Sequence, residues 1–302
     1  MGRKTKAVKQ RIDAWQLFVF LAFLLPLTAV ADSSAKVSFG FDGWEGPALR
    51  VFATRPPALT PERPVVFVMH GMGRNADEYR DQWHELALEY DFLLIVPEFS
   101  ENDFPGTDAY NIGNVYDQEG KPVPRELWSF SAIEPIFDAA RARFGMTADA
   151  YSIYGHSAGA QFVHRFLFHV PEARVARAVA ANAGWYTLPD FSIEYPYGLG
   201  GSRVTPEGLQ AALSLPLTIL LGDRDTDPAH ESLRRTPEAL QQGEHRMARG
   251  FYFFDAGRKA AVRDGAAFNW HLATVLGADH DNRLMAAQAA RFLLPQSADA
   301  SD

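Results

Sequence analysis

The chain has 302 residues, of which 47% are hydrophobic and 22% charged, and its formal net charge is −8. This composition provides enough apolar material for one large core and excludes an intrinsically disordered chain. The acidic balance, without a basic patch, argues against nucleic acid as a partner. The sequence has no cysteine, which excludes disulfides, thiolate metal sites and a cysteine nucleophile.

The first 31 residues have the organisation of a secretory signal peptide. Five basic residues precede a mostly apolar run from Ala14 to Leu25, and Ala29-Val30-Ala31 forms a small-residue cleavage site. We therefore expect cleavage after Ala31, a net charge of −12 for residues 32–302, and an exported protein of the periplasm or the extracellular medium. The alternative is an uncleaved anchor, but the run is short for a membrane span and Pro26 breaks it. No stable membrane insertion is expected after cleavage.

Residues 32–302 are expected to form one domain of alternating strands and helices. Apolar or alternating runs predict strands at Lys36–Phe41, Leu49–Thr54, Val65–Met69, Phe92–Val96, Ala150–Tyr154, Val175–Ala180, Leu217–Leu221 and Asn269–Val275. Helical spacing predicts helices at Glu78–Tyr90, Ser131–Phe144, Ala158–Val170, roughly Ala239–Arg263, and Asn282–Leu294. This order predicts an α/β fold with a mostly parallel central sheet of about eight strands and helices on both faces.

Two long segments, near 99–128 and 185–209, interrupt the alternation of strands and helices. Both follow predicted strands, and so lie on the side where α/β sheets bind ligands. Trp185 and Tyr186, at the start of the second segment, are candidates for an apolar acyl or aryl pocket. The alternative is that these two side chains anchor the loop in the core.

The sequence Gly155-His156-Ser157-Ala158-Gly159 has the pattern of a nucleophile elbow. It follows a predicted strand and precedes a predicted helix, and a sharp strand-to-helix turn exposes the serine Oγ. The flanking glycines avoid a Cβ clash in that turn. Ser157 is therefore the predicted nucleophile. The alternative is an ordinary glycine-rich turn.

A serine nucleophile needs a base and an orienting carboxylate, which follow it along the chain in this fold. Asp225 lies three residues after Gly222 at the end of a predicted strand and is the preferred acid, with Asp223 and Asp227 as alternatives. His280, in a loop after the last predicted strand, is the preferred base. Its rival, His271, lies inside that strand.

The segment His70-Gly71-Met72-Gly73 follows the strand Val65–Met69 and is the predicted oxyanion loop. In this fold the donors are the backbone N–H after the nucleophile, here Ala158, and one from this loop, here Met72. His70 is interpreted as structural, because a base comes later in the chain. No metal-binding motif is present, so neither a metal nor another cofactor is expected.

Residues 64–294 resemble the α/β-hydrolase superfamily through VVFVMHGMG, YSIYGHSAG, LGDRDTD and GADHD, in that order. Residues 70–99 are similar to the secreted poly(3-hydroxyalkanoate) depolymerase and feruloyl-esterase group. The resemblance implies an α/β-hydrolase fold with Ser157, Asp225 and His280 as the catalytic triad and Met72 and Ala158 as oxyanion donors. It implies that the chain hydrolyses a small-molecule or polymer ester through an acyl-enzyme on Ser157. A serine peptidase or acyltransferase on the same fold, and a non-catalytic binding protein, are the alternatives.

Overall fold

The computed structural model describes residues 1–2 and 35–294, so the predicted signal peptide and its cleavage site lie outside the described residues. Within the described residues, eight strands form one sheet in the order β1-β2-β4-β3-β5-β6-β7-β8. The strands are β1 (Lys36–Phe41), β2 (Leu49–Thr54), β3 (Val65–Met69), β4 (Leu93–Glu98), β5 (Tyr151–His156), β6 (Val175–Ala181), β7 (Leu217–Gly222) and β8 (His271–Val275). β2 pairs antiparallel with β1 and β4, and the other pairs are parallel.

The helices of the described residues are α1 (Ala76–Glu89), α2 (Gly106–Ala109), α3 (Ile133–Phe144), α4 (Ala158–His169), α5 (Pro206–Ser214), α6 (Pro237–Gln241), α7 (Arg246–Asp264) and α8 (Asn282–Leu293). Short 3-10 turns cover Arg125–Leu127 and Ser129–Ala132. The mostly parallel sheet of about eight strands with flanking helices is confirmed. No helix in residues 35–294 combines the length and the apolar character that a membrane span requires.

The central strands are buried on both faces, which explains their continuous apolar runs. Val65, Phe67 and Met69 point into one core, which α3, α4 and α7 cover with side chains such as Phe137 and Phe162. The intervening positions of β3 point into a second core that α1 and α8 cover on the opposite face. The strand period of two therefore divides one sequence run between two hydrophobic layers.

The structure corrects the predicted end of β4. The sequence predicts a strand that ends at Val96, before Pro97, but β4 continues through Pro97 to Glu98, and Pro97 pairs with Val51 of β2. The parallel pairing with β3 ends at Ile95, so the last residues of β4 have a strand partner on one side. A proline is tolerated there because an edge position does not need its missing N–H.

The predicted helical region Ala239–Arg263 is two helices rather than one. α6 ends at Gln241 and α7 begins at Arg246, with Gly243 between them at φ +143°, a conformation that favours glycine. The prediction also missed α5 within and beyond the segment 185–209. Thr205 caps this helix by accepting a hydrogen bond from the Gly208 N–H, and Pro206 occupies its first turn.

The parallel strands place the candidate residues on one edge of the sheet. β3, β5, β7 and β8 all run in the same direction, so the loops that follow them share the carboxyl edge. Residues as distant along the chain as the oxyanion loop and the last loop before α8 therefore lie close together.

Candidate active site

Ser157 stands in a strained turn between β5 and α4. Its backbone has φ 57° and ψ −113°, which is rare for a residue with a side chain, and its N–H donates to the Ala181 carbonyl at 3.0 Å. A Cβ on Gly155 would lie 2.1 Å from the Gly159 carbonyl oxygen. The elbow therefore closes too tightly for a side chain at residue 155, and it exposes the serine hydroxyl at the carboxyl edge of the sheet.

The structure brings the three residues of the predicted triad into one hydrogen-bonded chain. His280 Nε2 lies 3.0 Å from Ser157 Oγ, and His280 Nδ1 lies 2.7 Å from Asp225 Oδ2. An ionised carboxylate can only accept, so Nδ1–H donates to Asp225 and Nε2 is free to accept the Ser157 proton. This is the arrangement that general-base activation of a serine requires.

The alternative candidates for the acid and the base have contacts elsewhere. Asp223 Oδ1 accepts from the Gly277 N–H at 2.7 Å, and Asp227 Oδ1 accepts from the Ala229 N–H at 2.8 Å. His271 is exposed on the edge strand β8. The Asp223 bond joins the loops that follow β7 and β8, the Asp227 bond stabilises a local turn, and neither involves His280.

Burial and charge set the protonation of the Asp225–His280 pair. Burial raises the pKa of Asp225, but the hydrogen bond from His280 and the positive charges of His280 and Arg246 outweigh it, so the pKa lies below its usual value. Burial lowers the pKa of His280, the bond to Asp225 raises it, and the charge of Arg246 lowers it, with a net decrease. At neutral pH the pair therefore consists of a carboxylate and a neutral imidazole that can act as a base.

His156, beside the elbow, is buried and packs against the base. Its ring centroid lies 4.7 Å from that of His280, and its Nδ1 lies 3.0 Å from the Tyr79 hydroxyl. Burial lowers the pKa of His156 well below its usual value, so this imidazole is neutral. His156 therefore supports the position of His280 through ring contact.

Hydrogen bonds of His70 hold the predicted oxyanion loop in place. The Phe99 N–H donates to His70 Nε2 at 3.0 Å, and the Tyr110 hydroxyl donates to the His70 carbonyl at 2.8 Å. Burial lowers the pKa of His70 to about 4, so the ring stays neutral. Ala158, the other predicted donor, is the first residue of α4, where backbone N–H groups have no partner within the helix.

Arg74 also supports this loop through hydrogen bonds, and no pattern in the sequence predicts this role. Its backbone is left-handed at φ 56°, and its guanidinium is buried. The guanidinium donates to the carbonyls of Phe99, Phe104 and Gly106 and pairs with Glu101. The predicted oxyanion loop is thereby tied to the start of the segment 99–128.

An open cleft of about 330 Å³ contains Ser157 and His280. Its lining is polar and comprises Gly71, Met72, Gly73, Asn75, Tyr79, Gln82, His156, Ser157, His280, Asp281 and Asn282. Among the described residues that line it, Asp281 carries the one formal charge, and none is lysine or arginine. The cleft therefore has no cation that would attract an anionic substrate.

The candidate pocket residues Trp185 and Tyr186 do not line this cleft, which corrects their predicted role. Both are buried, with exposures of 3% and 0%. The guanidinium groups of Arg165 and Arg234 lie over the Trp185 ring, at 4.1 and 4.7 Å from its centroid, and Tyr186 stacks on Phe253. These aromatic side chains anchor the segment 185–209 to the core, because their rings point inward from the loop.

Among residues 1–2 and 35–294, no group of three or more His, Cys, Asp and Glu side chains is arranged to hold a metal ion. The chemistry that the described side chains offer is nucleophilic attack by a serine, assisted by an imidazole and a carboxylate. The class of protein that this fold and this site define is a serine hydrolase.

Comparison with solved structures agrees with this class. A poly(aspartic acid) hydrolase-1 of Sphingomonas sp. KT-1 is 49% identical, with 86% of this chain and 98% of that chain covered and a TM-score of 0.84. A poly(3-hydroxybutyrate) depolymerase of Bordetella parapertussis is 36% identical, with 84% and 87% covered and a TM-score of 0.80. A fluorophosphonate-binding serine hydrolase of Staphylococcus aureus shares the fold at 15% identity, with 85% and 96% covered and a TM-score of 0.54.

No protein-family model matches the chain, and no curated protein sequence matches it. The identities of 49% and 36% over most of both chains nevertheless decide its family. The chain belongs to the α/β-hydrolase family of serine hydrolases. The prediction of an enzyme of this type is therefore confirmed.

Proposed function

We propose that this protein hydrolyses carboxylic esters with Ser157 as nucleophile, His280 as base and Asp225 as the orienting acid. The hydrogen-bonded chain from Ser157 Oγ through His280 to Asp225 carries the proposal. Both distances lie within the range that proton transfer in an acyl-transfer reaction requires.

In the proposed reaction, Ser157 Oγ attacks the ester carbonyl while its proton passes to His280 Nε2. The N–H groups of Met72 and Ala158 hold the negative charge of the tetrahedral intermediate. His280 then donates the proton to the leaving alcohol, and an acyl-enzyme remains on Ser157. A water molecule, deprotonated by His280, releases the acid and restores the serine. Asp225 keeps Nδ1 protonated throughout and stabilises the imidazolium that forms.

The proposed substrates are uncharged esters, small or polymeric. The cleft is open and polar, and its single charged lining residue, Asp281, disfavours an anionic chain. A similar protein, at 36% identity, is a poly(3-hydroxybutyrate) depolymerase, which supports a polymer ester among the substrates.

A second candidate is hydrolysis of an amide polymer. The poly(aspartic acid) hydrolase, at 49% identity, supports it. Poly(aspartic acid) is a polyanion, however, and the residues that line the described cleft provide no cation to bind it. The electrostatics of the cleft therefore favour an uncharged ester.

The test is hydrolysis of p-nitrophenyl esters from C2 to C12, with Ser157→Ala as the variant. Ser214→Ala is a matched control, because the Ser214 hydroxyl bonds to the Ala211 carbonyl in α5, outside the triad. We expect turnover by the wild type and by Ser214→Ala, and none by Ser157→Ala. Covalent labelling by a fluorophosphonate should be lost with Ser157 alone. An unlabelled wild type would indicate a binding protein, and retained turnover in Ser157→Ala would refute the proposed nucleophile.

Assays with other substrates and acceptors separate the alternative reactions. Release of aspartate oligomers from poly(aspartic acid), without turnover of any ester, would indicate the amide hydrolase. Transfer of the acyl group to an added alcohol in preference to water would indicate an acyltransferase. Soluble hydroxyacid released from poly(3-hydroxybutyrate) would extend the ester activity to polymers.

Export is proposed from the N-terminal sequence. A basic start, a short apolar run and Ala29-Val30-Ala31 support cleavage after Ala31 and delivery to the periplasm or the medium. N-terminal sequencing of the protein recovered from fractionated cells tests this, with Asp32 as the expected first residue. An intact N-terminus in the membrane fraction would instead indicate an uncleaved anchor.

A further inference from the structure

A buried arginine contacts the carboxylate of Asp225 from the side opposite the base. Arg246 Nη1 lies 3.2 Å from Asp225 Oδ1, while Asp225 Oδ2 accepts from His280 Nδ1 at 2.7 Å. The side chains of Arg246 and Asp225 are 1% and 3% exposed. Each carboxylate oxygen therefore has its own buried cationic or N–H partner, so rotation of the carboxylate would break both contacts.

The place of Arg246 in the fold is unfavourable for an arginine in two respects. It is the first residue of α7, where the helix dipole disfavours a positive charge, and it is buried. Its Nη2 donates to Ser232 Oγ at 2.8 Å, which fixes the other arm of the guanidinium. A hydrophobic residue would pack there at lower cost, so the carboxylate of Asp225 accounts for the arginine.

We infer that Arg246 is a positioning residue of the proposed triad, holding the Asp225 carboxylate so that Oδ2 meets the imidazole of His280 and keeping a positive charge behind the base. The inference rests on the proposed function, because it assigns Arg246 a role through Asp225 and His280. Arg246 reaches the reacting atoms through those two residues and is placed behind them rather than in contact with the substrate.

Several charged or titratable groups face His280 from the surrounding elements. Asp225 favours the protonated imidazole, whereas Arg246 and His230 disfavour it; the ring of His230 lies 5.4 Å from that of His280. His156, on the β5 side, is neutral and lies 4.7 Å away. Without the Arg246 charge, the protonated imidazole of His280 keeps its attraction to Asp225 and loses a repulsion, so the pKa of His280 must rise. The acid limb of the kcat/KM profile would then move to higher pH.

The experiment compares Arg246→Gln, Arg246→Lys and the control Arg249→Gln by pH profiles of kcat/KM on a p-nitrophenyl ester. Arg249 is the matched control because it is a buried arginine on the same helix whose guanidinium donates to the carbonyls of Gly184, Arg234 and Gly243. Urea unfolding of each variant measures the structural cost separately.

For Arg246→Gln we expect kcat to fall about 10- to 100-fold with KM nearly unchanged, since the base loses its alignment. Its acid limb should rise by about one pH unit. Arg246→Lys should keep the acid limb of the wild type but recover only part of kcat, because an ammonium cannot reproduce the guanidinium fork between Asp225 and Ser232. Arg249→Gln should lose stability and keep the acid limb.

An Arg246→Gln profile that coincides with that of the wild type or of Arg249→Gln overturns the inference. If Arg246→Gln does not fold, Arg246→Lys decides: a wild-type kcat in that variant refutes the positioning role. Loss of turnover in Ser157→Ala together with an unmoved Arg246 profile would leave the proposed function standing and remove the inference alone. Retained turnover in Ser157→Ala would remove both.

Discussion

Substitution of Gly159 by alanine would place a methyl group in the contact between α4 and the end of β3. A Cβ at residue 159 would lie 2.1 Å from the Met69 carbonyl oxygen and 2.8 Å from that of His70. Both are backbone atoms, which cannot rotate away as a side chain can. α4 and β3 must therefore separate until the shortest contact reaches about 3.4 Å. Overpacking of this kind costs roughly 1–3 kcal/mol, and we expect Gly159→Ala to lie near the upper end.

The same displacement should reduce activity. Met69 directly precedes the loop that contains Met72, whereas Gly159 is the last residue of the elbow that carries Ser157. Separation of the two elements moves one predicted oxyanion donor away from the nucleophile. Misplacement by about 1 Å can cost a catalytic site 100-fold in rate, and we expect a loss of kcat/KM of that order.

The assay combines urea unfolding with kcat/KM on a p-nitrophenyl ester, measured well below the melting temperature. Gly40→Ala is the control, because a Cβ at this position of β1 meets nothing within 4 Å. The free energy of unfolding of Gly40→Ala should equal that of the wild type or exceed it by about 0.5 kcal/mol, and its activity should be unchanged. A Gly159→Ala variant with wild-type stability and activity would refute the reasoning from close backbone contact.

The proposed triad and the contacts that support the predicted oxyanion loop lead to three further expected outcomes. Asp225→Asn should lower kcat by about 10⁴-fold, whereas Asp223→Asn should leave kcat close to that of the wild type. Equal losses of kcat in the two variants, measured in esterase assays, would refute the assignment of Asp225 as the orienting acid. Because the net effect of burial, Asp225 and Arg246 holds the pKa of His280 below 6.5, kcat/KM at pH 6.5 should exceed half of its plateau value and should fall at lower pH. An acid limb centred above pH 6.5 would contradict this. Tyr110→Phe removes the hydroxyl that donates to the His70 carbonyl and should cost about 1–3 kcal/mol in urea unfolding; an unchanged urea midpoint would show that this contact does not stabilise the loop.

The centre of the sheet could be predicted closely because its strands are buried on both faces. A parallel strand such as β3 must be apolar at every position, and that pattern is visible in the sequence without reference to its neighbours. The elbow was equally visible, because the fold requires glycines on both sides of Ser157. Pro97 misled the prediction, since its tolerance depends on where the pairing with β3 ends, which is a property of the assembled sheet.

The contacts that support the site could not be predicted from the sequence pattern. Arg246 contacts an aspartate 21 positions earlier in the chain, and Arg74 bonds to carbonyls 25 to 32 positions later. Such pairs have no periodicity and arise only when separate loops meet at the carboxyl edge. Trp185 and Tyr186 illustrate the opposite case, because aromatic side chains in a loop near the site pack inward as readily as they line a cleft.

The order of the proposed triad residues along the chain determines when the site can be completed during synthesis of the protein. His280 follows Ser157 by 123 positions, and α8, directly after it, is fastened to the nucleophile strand by the bonds from Tyr154 Oη to Asn282 and from Ser152 Oγ to the Leu293 carbonyl. A nascent chain that has emerged as far as α7 holds a serine elbow with no base beside it. Hydrolytic turnover would therefore report that the chain has been made and folded through α8, and after one proteolytic cut between β8 and His280 the base would stay attached to the sheet only through α8 and its contacts with β5.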